Sequence, residues 1–262
     1  IAFVLGVIRL EISSSSGWNQ FQPDLDEISS LITPKTKAIV VNSPSNPTGA
    51  VFEYDVLKGI ADLVADENIL VISDEAYERI TYDGIRHISP ASMPGMMERT
   101  ISIFSFSKTY AMTGWRIGYA VANKEIISEM TKLQEHLVAH PSSISQIAAT
   151  AALRELNGQV ERMVREYAER RLIVMDGLSK IPGIRFQRPK GAFYIFPNIR
   201  SFGMSSEEFT MHLLREAKVI VVPGSAFGRF GEGYIRISFS VSREMLKEAI
   251  RRIAESIERL NA

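Results

Sequence analysis

Three short clusters of reactive side chains follow apolar runs of the chain: Asn46-Pro47-Thr48-Gly49, Asp74-Glu75-Ala76-Tyr77, and Ser105 through Lys108. Arg116 stands a little beyond the third. Together they offer an amine, a carboxylate, a phenol, an amide, two hydroxyls and a guanidinium. They contain no metal-binding spacing and no Ser-His-Asp set for nucleophilic attack, so no metal is expected. His87, His136, His140 and His212 are scattered along the chain, and none is assigned a catalytic part. The set suits a ligand with an electrophilic carbonyl, a basic ring nitrogen, an acidic hydroxyl and a phosphate.

Pyridoxal 5'-phosphate has all four features. Lys108 can hold its aldehyde as a Schiff base, the established way to make a lysine a covalent participant. Asp74 can pair with the pyridine nitrogen and keep it protonated, so that the ring withdraws electrons from a substrate carbanion. Tyr77 and Asn46 can hydrogen-bond the phenolic oxygen. Ser105, Ser107 and Arg116 can take the phosphate, the arginine through its fixed fork of donors. Taken singly, each residue has a plainer reading. Asn46 can simply make a turn, and Asp74 can be a surface residue at a strand end. Tyr77 can be a packing residue. Lys108 and Arg116 belong to types that are mostly exposed. Their joint placement, in order and at successive strand ends, would require several independent coincidences.

The elements that must position these groups alternate as in an α/β fold. TKAIVV (36–41), NILVIS (68–73) and TISIFS (100–105) read as strands, and WRIGYAVA (115–122) as one more. Helical periodicity runs over 54–66, 124–137, 142–156 and, as one long amphipathic helix, 160–181. Pro182 and Gly183 supply the stop signals. Beyond lie GAFYIFPNI, a helix near 205–217, VIVVPG, YIRISFS and a charged helix over 242–260, a smaller α+β unit. The expected organisation is a large domain with a mostly parallel sheet over 1–159, a connecting helix over 160–181 and a small domain over 182–262. Ligands of parallel α/β sheets bind at the carboxyl ends of the strands, where the three clusters fall. The Met and Phe residues read as core and Trp115 as a packing residue. The basic faces around Arg162–Arg171 and Arg251–Arg259 alternate with acids and read as solvated surface.

Composition narrows the class. The 262 residues are 45% hydrophobic and 23% charged, ordinary for a globular protein. Thirty basic and 30 acidic residues cancel, so no global field recruits nucleic acid or an anionic membrane. The absence of cysteine excludes disulfides and is compatible with a reducing cytoplasm, the expected location. The opening IAFVLGVIRLEI is too short to span a bilayer and reads as two short strands around Gly6. Starting inside an apolar segment without an initiator methionine, the chain is expected to be part of a longer protein.

The pattern S-x-S-K-x5-G-x-R-x-G over 105–118 resembles the pyridoxal-lysine signature of the class I/II aminotransferases, of the aspartate aminotransferase fold. At about 6% usage per fixed residue the six positions arise by chance in about one chain in 10^5, which makes this block the most specific. NSPSNPTG (42–49) and SDEAYERI (73–80) resemble two further signatures of that family, and PGSAFGRFGEGYIRISFS (223–240) its C-terminal block.

The resemblance implies a dimeric enzyme that moves an amino group between an L-amino acid and a 2-oxo acid. Lys108 matches the cofactor-bearing lysine, which also shuttles a proton; Asp74 matches the partner of the pyridine nitrogen, and Tyr77 and Asn46 the partners of the phenolic oxygen. Ser105, Ser107 and Arg116 match phosphate ligands. Arg236 matches the arginine that grips the substrate carboxylate, although alone, between Ile235 and Ile237, it reads as the outer face of a strand. The Asn46–Pro47 bond is expected to be cis. Members carry a further N-terminal section, with a phosphate-binding loop and a ring-stacking aromatic, that has no match before Asn46. Two alternatives stay open: a lyase or synthase of the same fold, and a non-catalytic truncated relative.

Overall fold

Alternating runs of apolar residues fold into a five-stranded sheet with strand order β1-β2-β3-β4-β5. The computed structural model describes residues 7–9, 21–65 and 67–260. The strands are β1 (Val7–Arg9), β2 (Ala38–Asn42), β3 (Leu70–Asp74), β4 (Thr100–Ser105) and β5 (Gly118–Val121). The first four run parallel, and β5 closes that edge antiparallel to β4. Helices α1 (Leu25–Leu31) and α2 (Tyr54–Val64) lie among them. Ile28 of α1 and Leu57, Ile60 and Val64 of α2, at helical spacing, join Ile39, Val41 and Val71 of the sheet in one buried core.

Period-two alternation then sorts the strand residues. Ile39, Val41, Val71, Ser73, Thr100 and Ser102 face the covered side and are buried. Asn42, Asp74 and Ile103, in register on neighbouring strands, face the other side. There Ile103 keeps 39% of its surface exposed.

Beyond β4 come α3 (Phe106–Thr109), then α4 (Lys124–Val138), α5 (Ser143–Glu155) and α6 (Asn157–Ser179). The chain divides into two compact units within α6, between Arg162 and Met163, and the early segment Ser45–Ala50 belongs to the second unit. That unit holds a three-stranded antiparallel sheet of β6 (Tyr194–Ile195), β8 (Ile235–Ser238) and β7 (Val222–Pro223), in that order. Helices α7 (Ser206–His212) and α8 (Arg243–Leu260) complete it. Its core is aromatic and aliphatic, with Phe196, Phe209, Phe239, Ile199, Leu213 and Ile235 fully buried. The fold is thus α/β with a mostly parallel sheet, as expected, followed by a smaller α+β unit.

Several local expectations change. The strand expected from Trp115 begins at Gly118, because Thr113–Trp115 make a 3-10 turn and Arg116 takes a left-handed φ of 50°. Trp115 is 44% exposed rather than packed. Arg171, expected on a solvated face, is buried and donates to the Pro189 carbonyl at 2.7 Å. The helix expected over 205–217 changes to a π turn at Leu213–Ala217. VIVVPG and GAFYIFPNI contribute strands of only two residues each, with Asn198 adding isolated bridges to Arg185 and Tyr234. Of the two strands expected around Gly6, Val7–Arg9 is described, and the other lies outside the described residues.

Candidate active site

In the first unit the site is built at the carboxyl ends of β3 and β4. Asp74 closes β3, paired with Ile103 of β4, and its Oδ1 accepts the Ala76 N–H at 3.2 Å. Burial pushes the Asp74 carboxyl above its usual range, with the charge of Glu75 adding to the effect; the Ala76 and Asn42 hydrogen bonds only partly offset it. Tyr77, three residues on, is buried. Beyond Ile103, β4 continues to Ser105, which caps α3: its hydroxyl oxygen accepts the Ser107 N–H at 3.2 Å. Lys108 is half-buried on α3. Arg116 is exposed, and its Nη1 donates to the Thr113 carbonyl at 2.9 Å. The last glycine of the lysine motif has a steric reason, since a Cβ on Gly118 would stand 2.5 Å from the Phe104 carbonyl oxygen.

Adjacent residues use the two sheet faces differently. Asp74 faces the less covered side, whereas Glu75, fully buried, joins the covered side. Its two carboxylate oxygens meet His87 Nε2 at 2.6 Å and Ser89 Oγ at 2.7 Å. Burial pushes Glu75 up, but these two bonds, the His87 charge and Ser102 outweigh it, leaving the carboxyl below its usual range. His87 Nδ1 is buried without a hydrogen-bond partner among the described residues. Sequence reasoning passed over Glu75, Glu78 and His87; the only signal was that the two acids lie inside SDEAYERI.

Asn46 and Arg236 are placed together in the second unit. Arg236 Nη1 donates to Asn46 Oδ1 at 2.7 Å. The guanidinium lies over the Tyr194 ring at 4.4 Å and the Phe227 ring at 4.9 Å. These contacts fix its plane. Its Nε is buried with no hydrogen-bond partner among the described residues. Arg236 is therefore an aromatic-clamped cation, not the bare outer face of a strand. The Asn46–Pro47 bond is cis, as expected, and so is Ser43–Pro44. Gly49 has φ 72°, and a Cβ there would stand 2.7 Å from Pro189, so the NPTG turn requires glycine.

A sequence profile described as "Aminotransferase class I and II" matches residues 5–253. The chain belongs to that family. It is 48% identical over 92% of its length to an aspartate aminotransferase of Pyrococcus horikoshii, covering 61% of that relative. It is 45% identical over 92% of its length to aromatic-amino-acid aminotransferase 2 of Thermococcus litoralis, covering 62% of it. Among solved structures, an aromatic aminotransferase from P. horikoshii superposes with a TM-score of 0.89 at 46% identity, over 92% of this chain and 64% of the other. The chain thus spans about three-fifths of the length of these curated relatives.

Proposed function

We propose that this chain carries the catalytic lysine of an aminotransferase that moves an amino group between an L-amino acid and a 2-oxo acid with pyridoxal phosphate. The observation that carries the reading is the pairing of β3 with β4, which brings the ends bearing Asp74 and Ser105–Lys108 side by side. The donor set fits the cofactor: a half-buried amine, a carboxylate, a buried phenol, two hydroxyls at a helix cap and an arginine. When bound, pyridoxal phosphate supplies an electron sink for the bonds at the substrate α-carbon.

The residues divide the remaining work. Lys108 holds the cofactor and its amine moves the proton at the substrate α-carbon. Asp74 keeps the ring nitrogen protonated, and Tyr77 and Asn46 hold the phenolic oxygen. Ser105, Ser107 and Arg116 hold the phosphate. Arg236, its plane fixed between Tyr194 and Phe227, grips the substrate carboxylate. The names of the relatives, aspartate in one and aromatic in another, support the class of reaction and not one substrate.

We further propose that the protein works as a homodimer in the cytoplasm. Supporting self-association, α4 and α5 hold an apolar set at the surface: Leu133, Leu137, Val138, Ile144 and Ile147 are each more than 60% exposed. Among the described residues no helix is long and apolar enough to cross a membrane.

The test is direct. Incubated with pyridoxal phosphate, the protein turns yellow, and borohydride fixes the cofactor on the Lys108 peptide. An adduct on other lysines with none on Lys108 would overturn the assignment.

A further inference from the structure

Helix α3 has only four residues, too few to hold itself by its own ladder, so its packing must fix the direction of Lys108. Phe106 anchors one side, buried and stacked on Tyr110 at 5.3 Å. Thr109 anchors the other, fully buried, and its hydroxyl lies 3.1 Å from each carboxylate oxygen of Glu78. Thr109 follows Lys108 directly, and Glu78 follows Tyr77 directly. One side-chain pair therefore ties the turn after β3 to the turn after β4. We propose that Glu78 is a positioning residue, whose carboxylate holds the lysine turn in place through the Thr109 hydroxyl. The inference rests on the proposed role of Lys108.

The choice of a carboxylate supports more than a spacer. A glutamine would accept the same hydrogen bond without a desolvated charge, and burial does push the Glu78 carboxyl above its usual range. A carboxylate offers the Thr109 hydroxyl two equivalent acceptors, each at 3.1 Å, where a glutamine would offer one. The groups in the field of Glu78 are Arg79 on its own turn, His87 of the following loop, Thr109 of α3 and Tyr119 of β5. Of these, the Thr109 hydrogen bond, then His87 and Arg79, pull its carboxyl back down, and His87 is itself held at 2.6 Å by Glu75. The hydrogen bonds form two separate pairs, Glu75 with His87 and Glu78 with Thr109, and only the second reaches the residue beside Lys108.

The test compares Glu78→Ala, Thr109→Val and Thr109→Ser with the unaltered chain, by amide hydrogen exchange without cofactor and by borohydride fixation of pyridoxal phosphate. Loss of one hydrogen bond to a charged group should speed exchange across 106–110 about tenfold or more, leaving β2 and β3 unchanged. Fixation on Lys108 should fall with it, in both Glu78→Ala and Thr109→Val. Thr109→Ser, which keeps the hydroxyl, should restore both signals. Unchanged protection over 106–110 in Thr109→Val overturns the proposal. Faster exchange spread over β2 and β3 in both disruptive variants overturns it too, because that marks general destabilisation. Absence of a Lys108 adduct in the unaltered chain would sink the functional reading alone, leaving the exchange result to decide whether Glu78 holds the turn.

Discussion

The two units hold charge near their candidate ligand groups in opposite ways. In the first, the withdrawn groups are acids: Asp74, Glu75 and Glu78 depend on hydroxyls, an imidazole and backbone N–H groups. In the second they are arginines: Arg236 lies between two aromatic faces and Arg171 is buried against a carbonyl. A carboxylate needs donors at each oxygen and titrates in reach of ordinary pH. A guanidinium tolerates apolar faces above and below its plane and stays charged. The acid side is thus set by a few hydrogen bonds and by pH, the arginine side by packing. Each half of the molecule should then fail in its own manner.

The largest effect belongs to Lys108. Lys108→Ala removes the amine that no neighbour can replace, so transamination by the complete enzyme should fall below detection, while the fold, read by circular dichroism, stays intact. Detectable turnover that survives the substitution would remove the lysine from the chemistry.

Next come Asp74 and Arg236, one from each side of the comparison. Asp74→Asn keeps the shape and removes the charge, so the rate of proton removal should drop by about a hundredfold or more with little change in amino-acid affinity. Arg236→Ala removes a donor edge worth about 1.5–3 kcal/mol per hydrogen bond to a charged group. It should chiefly raise KM for both the amino acid and the oxo acid, at every pH tested. Equal small losses in the two variants would dissolve the distinction.

How much of this was legible beforehand depends on the range of the contact. Motif residues at strand ends were readable, since β3 and β4 announce themselves as apolar runs and Asp74 and Ser105 close them. The cis Asn46–Pro47 bond and the loop-shaping part of Gly49 came from the family resemblance of NPTG, and the cis Ser43–Pro44 bond was not foreseen. The Glu75–His87 pair was not, because a lone histidine outside any ligand spacing gives no signal, and its partner lies on the buried face of a strand end. Nor was the burial of Arg171, which ends the charged run Glu169-Arg170-Arg171 and whose partner, the Pro189 carbonyl, lies in a distant segment. The aromatic clamp on Arg236 needs Tyr194 and Phe227 brought from separate segments, which only tertiary packing specifies.

Within the acid side, Glu75 and Glu78 should show opposite pH dependence. Glu75 is held below its usual value, so it stabilises the fold above that range, and the contribution is lost as pH falls through the folded value. Glu75→Gln should therefore cost about 1–3 kcal/mol at pH 7, a difference that closes below pH 4.5, in urea titrations. Glu78 is held above its usual value, so its ionisation removes stability as pH rises through the folded value. Glu78→Gln should be neutral or slightly stabilising at pH 7. The same slope for both variants would show that the two acids share one environment.

The smallest effect is expected at a carboxyl that is strongly displaced but exposed. Glu166 on α6 meets Arg243 Nη2 at 2.5 Å and Arg170 Nε at 2.9 Å, and its carboxyl is lowered to about 2. By displacement alone it would outrank Glu75. Yet its side chain is 36% exposed and Arg243 is 42% exposed, so water and salt screen the attraction and two long side chains lose freedom to make it. The sign is that of Glu75: stability is present above the usual glutamate range and fades as pH falls toward 2. The size is not. Glu166→Gln should change the pH 7 urea midpoint far less than Glu75→Gln, and 1 M salt should erase the difference, since the screening length there is about 3 Å. Should Glu166→Gln prove as damaging as Glu75→Gln and indifferent to salt, burial would not be what separates the two acids.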